Sequence, residues 1–267
     1  MSDSSPAKTA DILERIVSVR RQALVQAKQA TPAALLEERA AAAPPARDFG
    51  AALSRAGINI IAELKKASPS RGVLRKSFNP AALAPALEQA GAAALSVVTE
   101  PEFFQGELEQ LQLVRQVCRV PVLRKDFLFD PYQLYEARAV GADAFLLIVA
   151  ILSPSELRQL ITLGKQLGMA ALVEVHTAAE LAQALAAGAE IVGVNNRNLK
   201  TFQVNLETSL QLIESIPEEC LAVSESGLRS RATLDKLRAA GFDAFLVGEF
   251  LMQAPDPAGV LRHLLAE

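Results

Sequence analysis

The sequence predicts an α/β protein, a (β/α)8 TIM barrel with an N-terminal helical extension. Three observations support this. The chain has 267 residues, and one such barrel typically takes about 250. Short apolar runs recur, most of them after a glycine that ends a helical stretch, as in parallel strands covered on both faces. No Gly-x-Gly-x-x-Gly fingerprint follows any of these runs, which disfavours an open dinucleotide-binding sheet.

Eight strands are predicted, each followed by a helical stretch. Five of them come directly after a glycine turn, at residues 94–98, 144–148, 171–175, 191–194 and 244–247. The other three are residues 59–64, 121–125 and 221–224. Eight βα units at this chain length favour a closed barrel over an open doubly wound sheet.

Residues 1–57 precede the first strand and are predicted to be a helical extension. Residues 11–29 and 32–43 have helical patterns, with Asp11 as a capping residue for the first. Pro44 and Pro45 then end the second pattern, and residues 49–56 predict one more short helix. This extension is too small for its own core. We therefore expect it to pack on the catalytic barrel of residues 58–267, giving one structural domain overall.

Composition excludes several classes of protein. Hydrophobic residues make up 51% of the chain and the formal net charge is -3, with both signs mixed along its length. The sequence has no basic stripe of the kind that indicates a nucleic-acid partner, and its apolar runs are too short to span a membrane. Residues 1–10 lack the apolar region of a secretion signal, and Cys118 and Cys220 are far apart. We expect a cytoplasmic protein, with a monomer as the default because the sequence does not decide its oligomeric state.

The end of the first strand carries two opposite charges beside a core residue. Ile61, Glu63 and Lys65 alternate along the strand, so they point to one side of it. The turn-forming residues Ser68, Pro69 and Ser70 follow at once. One interpretation is a strand that ends in a polar catalytic cavity. The other is a surface ion pair before a turn.

Polar residues also stand at the ends of the later strands, where chemistry occurs in this fold. Three cations and three carboxylates are predicted to converge there: Lys65, Lys125, Arg197, Glu63, Glu174 and Glu225. Nearby opposite charges can keep a lysine protonated as an acid and a glutamate ionised as a base. The alternative for each residue alone is a structural ion pair. His176, two residues after Glu174, is expected to be a solvated loop residue, with a position near the site as the alternative, and His263 is expected at the surface. No cluster of metal-ligand type is present, so we predict no metal.

Two glycine turns follow the seventh and eighth strands, at Ser226-Gly227 and Gly248-Glu249. In this fold, backbone N–H groups at these turns commonly hold a phosphate. Ser68 would add a hydroxyl from across the mouth of the barrel. The alternative is that both are ordinary turns between strand and helix.

Several blocks together resemble the indole-3-glycerol phosphate synthase family. The first is Glu63-Leu64-Lys65-Lys66-Ala67-Ser68-Pro69-Ser70, which is specific to that family among related barrels. The later blocks occur in the same order: Thr99-Glu100 through Gly106, residues 123–127, residues 173–176, residues 195–199 and residues 224–227. The extension, with residues 43–49, fits as well. The resemblance therefore covers nearly the whole chain.

The resemblance implies a phosphorylated small-molecule substrate, 1-(2-carboxyphenylamino)-1-deoxyribulose 5-phosphate. A carboxy-lyase of tryptophan biosynthesis would close it to an indole with loss of carbon dioxide and water, without a cofactor. Lys125 would be the general acid and Glu174 the base for dehydration, while Lys65 would bind the carboxylate and Glu63 would orient Lys65. The remaining roles would be contacts to sugar hydroxyls and the anthranilate end (Asn195, Arg197, Glu225), to the phosphate (Ser68, Gly227, Gly248 and the backbone N–H of Glu249) and to the aromatic ring (Phe104, Phe127, Leu146, Leu199).

One position departs from the family's pattern. The family often has a small hydroxyl residue where Glu249 stands, and a carboxylate beside a phosphate would repel it. We expect Glu249 to point away, or the phosphate contact to be weaker here. Two other readings of the barrel stay open: another sugar-phosphate enzyme, such as an isomerase, an epimerase or an aldolase with Lys125 as a Schiff base, and a barrel that binds a phosphorylated ligand without catalysis.

Overall fold

A computed structural model describes residues 12–199 and 201–266. Its centre is a closed barrel of eight parallel strands, in which each strand pairs with its neighbours in chain order and the first pairs with the last. The strands are β1 Asn59–Leu64, β2 Ala94–Val98, β3 Val122–Lys125, β4 Ala144–Ile148, β5 Ala170–Val175, β6 Ile191–Asn195, β7 Leu221–Glu225 and β8 Ala244–Val247. The predicted fold is confirmed, and every strand begins and ends within one residue of its predicted bounds.

Helices surround the barrel and cover its outer face. The α-helices in the described part of the chain are α1 Ile12–Ala30, α2 Ala33–Ala42, α3 Phe49–Leu53, α4 Pro80–Gln89, α5 Leu108–Val117, α6 Pro131–Ala139, α7 Pro154–Gln166, α8 Ala178–Ala186, α9 Glu207–Leu212, α10 Arg231–Ala239, α11 Glu249–Gln253 and α12 Pro257–Leu265. Short 3-10 turns occupy Val149–Ile151 and Ile213–Ser215. No helix among these described residues is both long enough and apolar enough to cross a membrane.

Local sequence signals explain where the helices begin and end. Capping boxes start α6, through Asp130 and Gln133, and α7, through Ser153 and Glu156. The glycines that were predicted to end helices before strands all have a left-handed backbone, with positive φ at Gly91, Gly141, Gly168, Gly188 and Gly241. These turns set the short connections that bring each strand back into the barrel.

The interior of the barrel is filled by apolar side chains, and α3 closes its lower end. Phe49 and Leu53 of α3 are buried and belong to the same core cluster as inward-facing residues such as Ile61 and Leu172. The side-chain amide of Asn59 donates to the carbonyl oxygens of Leu53 and Arg55, which fixes the entry into β1. The helix predicted over residues 49–56 therefore ends early, at Leu53, because the chain turns there to enter the barrel.

Helix α1 of the extension contacts the barrel and the start of α6. The Arg20 guanidinium of α1 lies 2.9 Å from the buried Asp126 carboxylate, just after β3. The Tyr132 hydroxyl donates to the carbonyl oxygens of Ala27 and Thr31, at the end of α1. These contacts hold α1 over the carboxyl ends of the strands. Asp11, the predicted cap, lies outside the described residues, and the domain boundary at residue 57 stays a prediction.

Candidate active site

A cavity of about 640 Å³ opens at the carboxyl ends of the strands. Each of the eighteen residues selected from the sequence lines it. This end of a (β/α)8 barrel is where the loops of separate βα units meet, so residues far apart in the chain become neighbours there. The interpretation of Glu63 and Lys65 as a surface ion pair is therefore wrong, since both side chains face this cavity.

Lys125 lies at the centre of the charged residues. It ends β3, and its Nζ is 3.1 Å from an oxygen of Glu174 and 3.1 Å from an oxygen of Glu225. Burial lowers the pKa of Lys125, but the carboxylates of Glu225, Glu174 and Glu63 outweigh this and raise the pKa above its ordinary value. Lys125 therefore carries a proton at neutral pH and can act as an acid.

The two carboxylates beside Lys125 differ in their pKa. Burial raises the pKa of Glu174, but Lys125 and His176 outweigh burial and hold it below its ordinary value. Burial, together with the charge of Glu174, raises the pKa of Glu225 to about 7 in spite of Lys125. Two carboxylates that share one ammonium group repel each other, so the ionised form of only one of them is well stabilised. Glu174 is thus the ionised member of the pair and fits the role of a base.

A second ion pair joins Glu63 and Lys65 on β1 and the loop after it. The Lys65 Nζ is 2.5 Å from a Glu63 oxygen, and Glu63 is buried. Burial raises the pKa of Glu63, but the ammonium groups of Lys65 and Lys125 outweigh it and lower the pKa overall. Gly248 makes room for this carboxylate, because a Cβ at position 248 would collide with it.

His176 was predicted to be a solvated loop residue, and this prediction is wrong. Its side chain is 13% exposed and lies between two carboxylates, with Nε2 3.4 Å from Glu174 and Nδ1 3.2 Å from Glu180. Burial lowers the pKa of His176, but the contacts with Glu180 and Glu174 raise it above its ordinary value. The i, i+4 spacing of His176 and Glu180 was the available sequence signal.

One wall of the cavity is apolar and aromatic. The rings of Phe104 and Phe127 lie 6.0 Å apart at an angle of 42°, a geometry that suits packing around a planar ligand. Leu146 and Leu199 line the same cavity. The sequence reasoning missed the apolar residues of α1 that also line it, Ile12, Leu13 and Ile16. The only sequence signal was that these three apolar residues lie close together on one face of a predicted helix, which indicates a buried face but not what covers it.

Another part of the cavity has the features of an anion site. The loop after β1 folds back as a small antiparallel hairpin, Ala67–Ser68 with Gly72–Val73, which places Ser68, Pro69 and Ser70 at the cavity. The Ser68 hydroxyl is buried with no hydrogen-bond partner among the described residues. Ser226 and Gly227 both have positive φ, 67° and 82°. A non-glycine residue in this region costs about 1–2 kcal/mol and often marks a functional turn.

Glu249 turns its side chain toward three arginines. One oxygen is 3.0 Å from the Arg197 guanidinium. The other oxygen is 3.4 Å from Arg71 and 3.5 Å from Arg229. The sequence reasoning identified Arg197 but missed Arg71 and Arg229, since neither stands at a strand end. Each lies next to a turn that the sequence had indicated: Arg71 directly follows Ser70, and Arg229 lies two residues after Gly227.

Comparison with known proteins decides the family. The sequence model described as Indole-3-glycerol phosphate synthase matches residues 13–264. A protein of that name from Azoarcus sp. (strain BH72) is 50% identical over 260 residues, covering 95% of this chain and 98% of the relative. Another from Koribacter versatilis (strain Ellin345) is 50% identical over 256 residues, with the same coverage. The chain belongs to the indole-3-glycerol phosphate synthase family.

Solved structures support the architecture of this family member. The 3-hexulose-6-phosphate synthase from Salmonella typhimurium superposes with a TM-score of 0.63 at 14% identity, covering 78% of this chain and 96% of that one. KGPDC from Streptococcus mutans gives a TM-score of 0.60 at 16% identity, covering 78% and 95%. At such identities the likeness shows the barrel fold alone.

Indole-3-glycerol phosphate synthases are carboxy-lyases of tryptophan biosynthesis. Nearly the full length of each relative is matched, so the extension as well as the barrel is shared. Within the residues that the structure describes, no group of three or more His, Cys, Asp or Glu side chains is arranged to hold a metal ion.

Proposed function

We propose that this chain converts 1-(2-carboxyphenylamino)-1-deoxyribulose 5-phosphate to indole-3-glycerol phosphate, carbon dioxide and water by acid–base catalysis. The observation that carries this proposal is the position of Lys125 between Glu174 and Glu225, at 3.1 Å from each. A protonated amine and an ionised carboxylate, both buried in one cavity, are the two groups that the reaction needs.

In the first step, the ring carbon that bears the carboxylate attacks the sugar carbonyl. Lys125 protonates the developing alkoxide, so the new carbon–carbon bond forms without a charged oxygen. Lys65 holds the substrate carboxylate, and Glu63 fixes the ammonium of Lys65 at 2.5 Å. Carbon dioxide then leaves. The electron pair of the broken carbon–carbon bond goes to the ring, and aromaticity returns.

In the second step, the hydroxyl made from the carbonyl leaves as water. Lys65, which no longer holds the carboxylate once carbon dioxide has left, gives the oxygen its second proton, and Glu174 removes the proton whose loss completes the indole. The low pKa of Glu174 in the empty site keeps it ionised and able to accept that proton. His176 and Asn195, which help to lower this pKa, keep Glu174 charged until substrate arrives.

Ring closure also requires that the two ends of a flexible substrate be brought together. Phe104, Phe127, Leu146 and Leu199 pack on the anthranilate ring at one end. Ser68, Pro69, Ser70 and the turns at Ser226-Gly227 and Gly248-Glu249 hold the phosphate at the other. Holding reacting atoms in this way can replace about 7–11 kcal/mol of activation free energy.

A Schiff-base aldolase is disfavoured by the same geometry. An amine that forms an imine must first lose its proton, whereas the carboxylates around Lys125 raise its pKa. Borohydride treatment in the presence of substrate should therefore leave Lys125 unmodified. Trapping of an imine at this lysine would instead favour the aldolase reading.

The direct test is to mix the purified protein with substrate and follow indole fluorescence. The chain contains no Trp, so the background is low. Because the steps above use only proton transfers and decarboxylation, turnover should survive dialysis against EDTA. Loss of turnover that magnesium or zinc restores would contradict this mechanism.

The remaining expectations belong to the same proposal. The chain would act as a monomer on a phosphorylated small molecule, without nucleic acid or membrane, since the residues assigned to contact the substrate all line one cavity of one chain. Light scattering of the purified protein tests the oligomeric state. A cytoplasmic location fits the free thiols of Cys118 and Cys220, and cell fractionation tests it.

A further inference from the structure

Three arginines from three separate loops share the carboxylate of Glu249. Arg71 comes from the loop after β1, Arg197 from the loop after β6 and Arg229 from the loop after β7. All three lie within 3.5 Å of a Glu249 oxygen. These loops also carry Ser68 and Gly227, the residues that face the anion side of the cavity.

The arrangement around Glu249 is incomplete as an ion-pair network. Its Oε1 is buried and has no hydrogen-bond partner among the described residues, only the two longer contacts with Arg71 and Arg229. The side chains of Arg71 and Arg229 are 55% and 60% exposed. They are therefore free to turn toward another anion in the cavity, while Glu249, at 13% exposed, stays in place.

We propose that Glu249 is an internal competitor for the substrate phosphate, occupying Arg71, Arg197 and Arg229 in the empty site and giving them up when a phosphate binds. This inference rests on the proposed function, because the proposed function assigns the substrate phosphate to this end of the cavity. A dianionic phosphate attracts each guanidinium more strongly than a single carboxylate charge does at the same distance. The exchange therefore favours a dianion and disfavours singly charged anions.

The competition has two consequences for the reaction. In the empty site, Glu249 keeps the loops after β1, β6 and β7 gathered around one point, so the anion site is formed before substrate arrives. In the product complex, Glu249 remains next to the arginines and weakens their hold on the phosphate, which speeds release. Affinity for the phosphate is thus lower than three arginines alone would give.

The test is the affinity for inorganic phosphate, measured by calorimetry for the wild type and for Glu249→Gln. Gln keeps the size and the hydrogen bonding of Glu but lacks its charge. We expect Glu249→Gln to bind phosphate about tenfold more tightly, or more, and to bind it with a steeper dependence on salt. Glu102→Gln is the matched control: it removes the same charge from the exposed loop after β2, where no arginine among the described residues pairs with it, and should bind phosphate like the wild type.

Other outcomes overturn the inference. Equal or weaker binding by Glu249→Gln would mean that Glu249 holds the arginines in a binding arrangement. Absence of phosphate binding to both proteins at tens of millimolar would show that no such site exists. Arg71→Gln adds a second measurement: it should weaken phosphate binding more in the Glu249→Gln background than in the wild type, and an equal effect in both would contradict competition. Phosphate binding does not require turnover, so failure of the proposed function would be seen separately in the fluorescence assay.

Discussion

Replacing Gly248 by Ala tests whether the position of Glu63 matters to the chemistry. A Cβ at position 248 would lie 2.9 Å from the Cβ and the Cδ of Glu63. Ordinary carbon contacts are about 3.5–4.0 Å, so one side must retreat by about 0.6–1.1 Å. The backbone cannot supply this movement easily, since Ala62 pairs with Val247 on one side of β1 and Glu63 pairs with Ser96 on the other. The Glu63 carboxylate, which the new Cβ would also meet, must therefore swing away, while the Cβ of Glu63, fixed by its backbone, forces a small shift of the strand end as well.

Movement of Glu63 should damage catalysis more than folding. Its contact with Lys65 at 2.5 Å would lengthen, and a displacement of about 1 Å in a catalytic group can cost about 10²-fold in rate. Overpacking should cost about 1–3 kcal/mol of unfolding free energy. We expect kcat to fall by about 10²-fold while the protein remains folded at 25 °C.

Steady-state kinetics and thermal melting of the Gly248→Ala protein separate these effects. Gly50→Ala is the control, because a Cβ there meets only ordinary contacts of 3.6 and 3.7 Å. A rise in KM with unchanged kcat would show that Gly248 serves phosphate binding alone. A Gly248→Ala enzyme with wild-type kcat and KM would refute the reasoning about Glu63.

Three further predictions follow from neighbouring contacts. Glu174→Gln should still decarboxylate the substrate but release indole slowly, so single-turnover mixing should show carbon dioxide ahead of fluorescence; equal slowing of both signals would place Glu174 before ring closure. Arg20→Ala should lower the unfolding free energy by about 1–3 kcal/mol in urea, since it removes one of the charged partners of the buried Asp126, and an unchanged midpoint would contradict this. The raised folded pKa of His176 means that its stabilising contribution is present below about pH 6.5 and is lost as pH rises through the folded value. Urea unfolding of His176→Asn should therefore differ from the wild type more at pH 5.5 than at pH 9, and an equal difference at both would exclude this role.

The sequence predicted the barrel well because its strands are marked at both ends. Glycines such as Gly141 and Gly241 adopt the left-handed backbone that the pattern required, and polar residues mark the carboxyl ends. The same polar residues predicted the cavity, since the carboxyl ends of the strands of a barrel must meet. Lys125 and Glu174 are 49 positions apart in the chain, yet both were expected at one mouth of the barrel because each ends a predicted strand.

The parts that could not be predicted depend on where side chains turn after a strand ends. His176 lies in a loop by sequence, but α8 brings Glu180 back beside it and buries its ring. Arg71 and Arg229 lie in turns, where residues follow no helix or strand periodicity, so nothing in the sequence connects them with Glu249. Such contacts are set by loop geometry, which single-sequence patterns do not determine.

The most direct test of the central claim is the single-turnover rate of Lys125→Ala, measured together with its affinity for indole-3-glycerol phosphate and its melting temperature. If Lys125 is the general acid, the chemical step should slow by about 10²- to 10⁴-fold. Product affinity should change by much less, because Lys125 acts on an oxygen that is lost as water. A Lys125→Ala protein that melts early but turns over at the wild-type rate when folded would show that Lys125 only balances the charges of Glu174 and Glu225.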